Sequence, residues 1–310
     1  MKKETFFFPS AVGDCEIEAV RFLPEDGAVR GTLQLNHGMM EHIGRYDGMA
    51  EYFTRRGWAV YGHSHLGHGH STNERYPLGY FGRNNAEGQI FLADAKTVHE
   101  RAKADFPALP MVIFGYSMGS FIARLCMAEF GEDLAAGVIC STGNGGRMLP
   151  VGIASARLFS VAFGRKKATL LDRAVQGGFN KGFEGRSKVD WLSTDPSYLL
   201  DENGRPDPLC GFAFSNRGYY DLLTLNRRML RQETFERAPK ALPMLFLSGA
   251  DDPVGEHGEG VRVTLERYRQ TGHVLAEAKL YPGRRHEIHL DNGREDVWAD
   301  MSHWLEKTVG

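Results

Sequence analysis

Residues Met111-Val112-Ile113-Phe114 form an unbroken apolar run that ends on Gly115-Tyr116-Ser117-Met118-Gly119, after which Phe121, Ile122, Leu125 and Cys126 share one helical face. This succession of apolar strand, glycine-flanked serine and amphipathic helix constrains the fold more than any other segment. A continuous apolar strand is buried on both faces, the habit of a parallel sheet covered by helices. A turn that passes straight from such a strand into a helix leaves no room for side chains at its flanks, so both glycines have a steric reason. The pattern alone says little: with 37 Gly in 310 residues, about 0.2 matches arise by chance. Its place between strand and helix carries the weight.

The same alternation recurs along the chain. Cys15, Ile17 and Ala19 alternate with Glu16 and Glu18, Pro24-Glu25-Asp26-Gly27 supplies a turn, and Thr32 to Leu35 resumes a strand pattern. Tyr46, Met49, Ala50 and Phe53 form a helical face that Gly57 closes in the manner of a C-cap. Ala59-Val60-Tyr61 reads as a strand, and Phe91, Ala95, Val98 and Ala102 as a helix stopping before Pro107. Gly137–Cys140, Met244–Leu247 and Ala276–Tyr281 are further strands, and Val297, Met301, Trp304 and Leu305 stripe a closing helix. Strands alternating with such helices predict an α/β fold, a mostly parallel central sheet with helices on both faces. The alternation stops at the breaker cluster Ser141–Gly146. Beyond it lie helical patches, such as Leu158, Phe159, Ala162 and Phe163, and glycine- and proline-rich loops. The expected organisation is a core half over 1–142, a helical cap insertion over 143–241 and a second core half over 242–310.

Composition narrows the classes. The chain is 42% hydrophobic and 25% charged with a net charge of −2, which excludes disordered and small disulfide-scaffold proteins. Near-zero charge argues against a nucleic-acid partner held through phosphates. Cys15, Cys126, Cys140 and Cys210 lie far apart with no CxxC spacing, and so read as buried thiols in a reducing compartment rather than a disulfide framework or a zinc site. The run Phe6-Phe7-Phe8 stops at Pro9, short of the about 7–15 apolar residues of a secretory segment. No stretch approaches the about 18 apolar residues of a membrane span. A soluble, cytoplasmic protein is expected.

The turn places Ser117 above the sheet at a helix N-terminus, where free N–H groups favour developing negative charge. The plain alternative is a strand-to-helix turn with a serine cap. A serine needs a base held by an acid, and on an α/β sheet the chain order is Ser, acid, His. After Met244–Leu247 comes Ser248-Gly249-Ala250-Asp251-Asp252-Pro253-Val254, where two acids compete. Asp252 is favoured, because Gly249-x-x-Asp252-x-Val254 is similar to the acid loop of many α/β-hydrolases, and Asp251 is expected to cap the turn. After the last strand comes His286-Glu287-Ile288-His289; His286, nearest the strand end, is the expected base and His289 its rival. The backbone N–H groups of Met39 and Met118 are the expected oxyanion donors, with Gly38 letting the first of those loops turn close. His63, His65, His68 and His70 crowd together, but no Cys or carboxylate lies among them, so a tight turn without a metal is expected. Glu41 and Arg45, four apart, suit an ion pair behind the oxyanion loop.

These segments together resemble the monoglyceride lipase and lysophospholipase-like branch of the α/β-hydrolases. His37-Gly38-Met39-Met40-Glu41-His42 with Arg45-Tyr46 looks like that branch's HGxxEHxxRY segment, and His65-Leu66-Gly67-His68-Gly69-His70-Ser71 like its DHxGHGxS segment. Ser117 and its flanks match the nucleophile, and His286 with His289 the catalytic histidine and the second that follows it. The resemblance covers about 28–141 and 241–307. Ser64 stands where the branch usually has Asp, which puts the packing of that loop in question.

The resemblance implies a serine hydrolase that needs no cofactor. It cleaves small acyl esters, monoacylglycerols or lysophospholipids, with transient contact to lipid aggregates. Tyr116, His289 and Phe159 are expected at the substrate, and Leu158, Phe163, Phe179, Phe183, Phe212 and Phe214 line an acyl channel or else form cap core. The alternatives are a short-chain carboxylesterase, a thioesterase, or an aminopeptidase-like enzyme using Asp172, Glu184 or Asp190 against the substrate amine. A non-enzymatic ligand receptor on the same fold is the remaining reading.

Overall fold

A computed structural model describes residues 1–183, 190–195, 197, 199–201 and 203–310. At one edge, β1 (Lys2–Pro9) pairs antiparallel with β2 (Glu16–Leu23), from Lys2 opposite Leu23 to Pro9 opposite Glu16. β2 also runs antiparallel to β4 (Trp58–His63). From there every pairing is parallel: β4 with β3 (Gly31–Asn36), then β5 (Met111–Tyr116), β6 (Ala136–Cys140), β7 (Met244–Gly249) and β8 (Ala276–Tyr281). The order across the sheet is β1-β2-β4-β3-β5-β6-β7-β8. It is a mostly parallel sheet, antiparallel only where β2 pairs, and every residue of β3 to β7 is buried, as their continuous apolar runs require.

Strand alternation sorts the core into two layers. Val112 and Phe114 of β5 face α1 (Asp47–Thr54) and α9 (Arg294–Thr308), packing with Met49, Phe53, Met301 and Leu305. Ile113 faces the other layer, where Phe91 and Val98 of α2 (Gln89–Asp105), Ile122 and Leu125 of α3 (Met118–Phe130) and Val261 of α8 (Glu259–Gln270) pack. α1 ends at Thr54, and Gly57, with φ +81°, closes the turn three residues later.

Among the described residues, the stretch between β6 and β7 contains α4 (Leu149–Phe163), α5 (Thr169–Phe179), α6 (Asn216–Met229) and α7 (Gln232–Arg237). α4 packs on α6, and both α6 and α7 pack on α3. The apolar spacing in α4 marks the helix correctly but not its buried face. Ile153 and Ala156 are buried, whereas Leu158 is 70% and Phe163 47% exposed.

The turn after β4 is tight. Ser64 is buried, and its hydroxyl donates to Glu18 Oε2 at 2.8 Å, an oxygen that also accepts the His70 N–H at 3.2 Å. A carboxylate therefore does serve this turn, from β2 rather than from position 64. Gly69 is required there: a Cβ would stand 2.4 Å from Ser64 Oγ, and its φ is +51°.

Candidate active site

Ser117 sits between β5 and α3 at φ 49°, ψ −117°, a conformation that a non-glycine residue keeps only where its surroundings hold it. Its N–H donates to Cys140 O at 3.0 Å, while its own carbonyl accepts from Ser120 N at 2.9 Å and Ser120 Oγ at 2.5 Å. The flanking glycines are steric necessities. A Cβ at Gly119 would lie 2.1 Å from Asn36 O, and one at Gly115 2.2 Å from Gly119 O.

His286 follows β8. Its Nε2 is 2.8 Å from Ser117 Oγ and its Nδ1 2.9 Å from Asp252 Oδ2. Asp252 and His286 are buried, while Ser117 keeps partial exposure. The structure thus brings together one hydroxyl, one imidazole and one carboxylate that lie up to 169 residues apart. Asp251 takes no part. Its carboxylate is exposed and makes no hydrogen bond among the described residues, and the turn is capped by Asp252 itself, whose Oδ1 accepts the Val254 N–H at 2.8 Å. One carboxylate serves both ring and turn, because its two oxygens point to different partners.

Several supports of His286 left no signal in the sequence. Ser141, at φ +50°, donates from Oγ to His286 O at 2.6 Å and from N to Leu247 O at 2.7 Å. Glu287 N donates to Leu192 O at 2.8 Å, Arg285 donates to the carbonyls of Asp190 and Ser193, and the Trp191 ring lies 5.2 Å from that of His286. The segment 190–193 therefore grips the histidine loop. No periodicity announces such contacts.

The loop after β3 is held from behind. Glu41 Oε1 accepts the Gly38 N–H at 2.5 Å and the Tyr46 hydroxyl at 3.0 Å. A Cβ on Gly38 would meet the Tyr116 ring at 2.7 Å. Arg45 pairs with Glu41 at 2.6 Å and reaches both Glu287 oxygens, at 2.6 and 2.9 Å. Both carboxylates are almost wholly buried. Burial raises the Glu287 pKa and Arg45 opposes it. Met118 begins α3, so its N–H has no acceptor within the helix. Among the described residues the Met39 N–H has no acceptor either.

Behind this loop lies a chain of buried histidines. His65 N donates to His37 Nε2 at 2.9 Å, which leaves the His37 ring hydrogen on Nδ1 to donate to Gly38 O at 2.8 Å. His65 Nε2 reaches His37 O at 3.2 Å, and its Nδ1 faces His63 Nε2 at 3.1 Å. His68 stacks on Phe81, with ring centroids 5.3 Å apart. Burial is the main cause that holds His63 and His68 down to about 3, and it holds His37 and His65 well below their ordinary value too. His70, by contrast, is exposed.

Residues 27–293 match the family described as serine aminopeptidase, S33. The chain belongs to that family. Within it, the chain is 26% identical over 293 residues to human monoglyceride lipase, covering 93% of this chain and 86% of that one. It is 27% identical over 281 residues to a monoacylglycerol lipase of Mycolicibacterium smegmatis, covering 89% and 88%. The crystal structure of a thermostable carboxyl esterase from Bacillus coagulans, in complex with glycerol, superposes with a TM-score of 0.88 at 27% identity, covering all of both chains. These relatives place the S33 fold here in the monoglyceride lipase-like branch of the α/β-hydrolases.

The expected substrate contacts fare differently. Tyr116 and His289 are 3% and 0% exposed, so both side chains are buried in the packing around His286. Tyr116 ends β5 with its ring in the α1/α9 layer, 5.1 Å from the His286 ring and 4.1 Å from that of His289. His289 Nε2 instead meets the Tyr46 hydroxyl at 3.1 Å. Phe159 remains 37% exposed on α4. Phe212 and Phe214 pack on His68, Phe179 on Trp191, and Phe183 beside Arg285. Of the carboxylates suited to an amine, Asp172 accepts from the Tyr219 hydroxyl, Asp190 is half-buried, and Glu184 lies outside the described residues.

Two outcomes follow from these buried charges. Arg45→Met strands Glu41 and Glu287 together, with an expected stability loss of about 3–5 kcal/mol; urea denaturation near pH 7 measures it, and a loss below about 1 kcal/mol, a tenth of total stability, would show the pair to be solvated. The folded state of the histidine chain binds fewer protons than the unfolded chain between about pH 3 and the ordinary histidine value near 6.5. Stability is therefore lost as pH falls through that window. His68→Phe, which keeps the stack on Phe81, is expected to lose less stability than the unaltered protein between pH 7 and pH 5; equal slopes would remove His68 from the acid response.

Proposed function

We propose that the protein hydrolyses carboxylic esters of fatty acyl chains, monoacylglycerols or lysophospholipids, through an acyl-enzyme on Ser117. The observation that carries the reading is the hydrogen-bonded line from Ser117 Oγ through His286 to Asp252, at 2.8 and 2.9 Å. His286 takes the serine proton as Oγ attacks the ester carbon, and the Met39 and Met118 N–H groups hold the resulting oxyanion. Collapse releases the alcohol, protonated by His286. The same imidazole then deprotonates the water that frees the acid. Asp252 fixes the tautomer and stabilises the imidazolium.

The substrate class rests on the named relatives and on the surface of the helical segment. Residues 143–241 act as a cap over the two core halves, 1–142 and 242–310. On this cap Met148, Leu158, Val161 and Leu170 are 69%, 70%, 84% and 73% exposed. Exposed apolar side chains of this size suit transient contact with lipid aggregates, and Phe159 on α4 is 37% exposed. No helix among the described residues is long and apolar enough to cross a membrane. All four cysteines are free, which favours a reducing compartment, the cytoplasm.

The test is kcat/KM across esters of rising acyl length, monoacylglycerols included, with Ser117→Ala as the reference. A long-chain optimum that falls at least about 10³-fold in the variant is expected. A short-chain optimum moves the function to a general carboxylesterase, and retention of a tenth of the activity in the variant removes the serine mechanism. Asp252→Asn is expected to lower kcat on the order of 10³–10⁴-fold while Asp251→Asn stays near the unaltered enzyme; the opposite ranking reassigns the acid.

A further inference from the structure

The loop after β3 and the segment between α5 and α6 meet at a cluster that the chemistry above does not use. His42 Nε2 lies 2.8 Å from Asp207 Oδ2, and Cys210 Sγ lies 3.5 Å from the same oxygen. One ligand atom from each of the three falls within 4.8 Å of the others, and this is the one such group of His, Cys, Asp or Glu among the described residues. The His42 and Asp207 side chains are 16% and 14% exposed, and Cys210 is half-buried while the other three cysteines are buried. We infer that His42, Asp207 and Cys210 form a binding site for a thiophilic divalent cation, zinc above all, that joins the cap segment to the oxyanion loop.

Geometry and chemistry both support the assignment. Zinc–nitrogen, –oxygen and –sulfur bonds near 2.0–2.3 Å at tetrahedral angles set ligand atoms about 3.3–3.7 Å apart. The sulfur–oxygen spacing already falls in that range, and the imidazole–carboxylate contact needs to open by only about half an ångström. The cation would enter where two hydrogens now sit, both directed at Asp207 Oδ2. His42 Nδ1 accepts from Gly44 N at 3.2 Å, so the free ring carries its hydrogen on Nε2. On loading, that hydrogen passes to Nδ1 at the expense of the Gly44 contact, and the thiol proton leaves to solvent. Thiolate and carboxylate then carry −2 against +2, so the loaded half-buried site is neutral, where the free site held one carboxylate charge. One sulfur, one imidazole and one carboxylate select zinc or cadmium over magnesium or calcium, and three protein ligands leave the fourth position to water.

The site is placed to act on the catalytic loop. Gly211 N, next to Cys210, donates to Met40 O at 2.9 Å, and Met40 holds φ +58°. A cation bound through His42 stiffens the loop whose Met39 amide faces the oxyanion, and it lowers kcat; that kinetic consequence rests on the function proposed above, whereas the binding does not.

The experiment titrates the metal-free full chain with zinc by calorimetry and with cadmium by its thiolate charge-transfer absorbance. Ser117→Ala, Cys210→Ser and Asp207→Asn are followed in parallel. One equivalent and a charge-transfer band are expected in the unaltered protein and in Ser117→Ala, with the band lost in Cys210→Ser and affinity reduced at least about tenfold in Asp207→Asn. Zinc is also expected to protect Cys210 of the unaltered protein from alkylation, read by mass spectrometry, a measurement that needs no variant to fold. Absence of saturable binding, a band that survives in Cys210→Ser, or alkylation of Cys210 unaffected by zinc overturns the site. Binding as expected in a protein whose Ser117→Ala form keeps its turnover would leave the cation site standing and remove only the serine mechanism.

Discussion

The close backbone crossing between the end of β3 and the start of α3 sets the dimensions of everything around it. Gly119 lies so near Asn36 and His37 that a single Cβ there would overlap carbonyl oxygens of both. The nucleophile turn and the loop that carries Met39 are thereby fixed at a separation of one peptide thickness. A second crossing has the same character: a Cβ on Gly249 would fall 2.1 Å from Arg285 O, so the acid loop and the histidine loop are also set backbone against backbone. Side chains can rearrange by rotamer changes, whereas backbones packed this way move only together. Reacting groups from four strand ends are set first by these backbone crossings, and the side-chain contacts of Glu41, Arg45, Ser141 and Arg285 are added to them.

Charge is used differently. Arg45 with Glu41 and Glu287 joins the oxyanion loop to the residue after His286, in a place where desolvation offsets much of the Coulomb attraction. Such a group contributes little net stability, but it penalises any arrangement in which one partner strays. The neutral histidines serve as hydrogen-bond connectors instead, because burial removes their charge and leaves each ring one donor and one acceptor. The two networks meet at Gly38, whose N–H is taken by Glu41 and whose carbonyl is taken by His37.

Much of this was legible in the sequence because it is local. The strand, turn and helix around Ser117 follow from consecutive residues, and so does the position of His286 just past a strand. The Glu41–Arg45 spacing was visible, but Glu287, 242 residues from Arg45, could not be paired with it from pattern alone. Asp251 and Asp252 differ by one position, and the strand-end geometry that separates them is not encoded in composition. Tyr116 and His289 were expected at the substrate yet are buried, for one shared reason. Sequence proximity to a reacting residue suggests proximity to substrate, yet alternation along β5 turns Tyr116 to the opposite face from Ile113. Likewise the apolar spacing of α4 reports an apolar stripe, and says nothing of what covers it.

The sheet has two free edges, β1 and β8, and their sequences treat those edges as hazards. Lys2, Lys3 and Glu4 are exposed along β1, which ends on Pro9, a residue with no N–H to offer. β8 exposes Glu277, Ala278 and Lys279, with Lys279 tied to Asp300 and Glu277 to Trp304. Any strand that docked on either side would have to strip water from these charges. The parallel order so useful at the centre of the sheet is thus kept from propagating outward, and the stacked strands stop at eight.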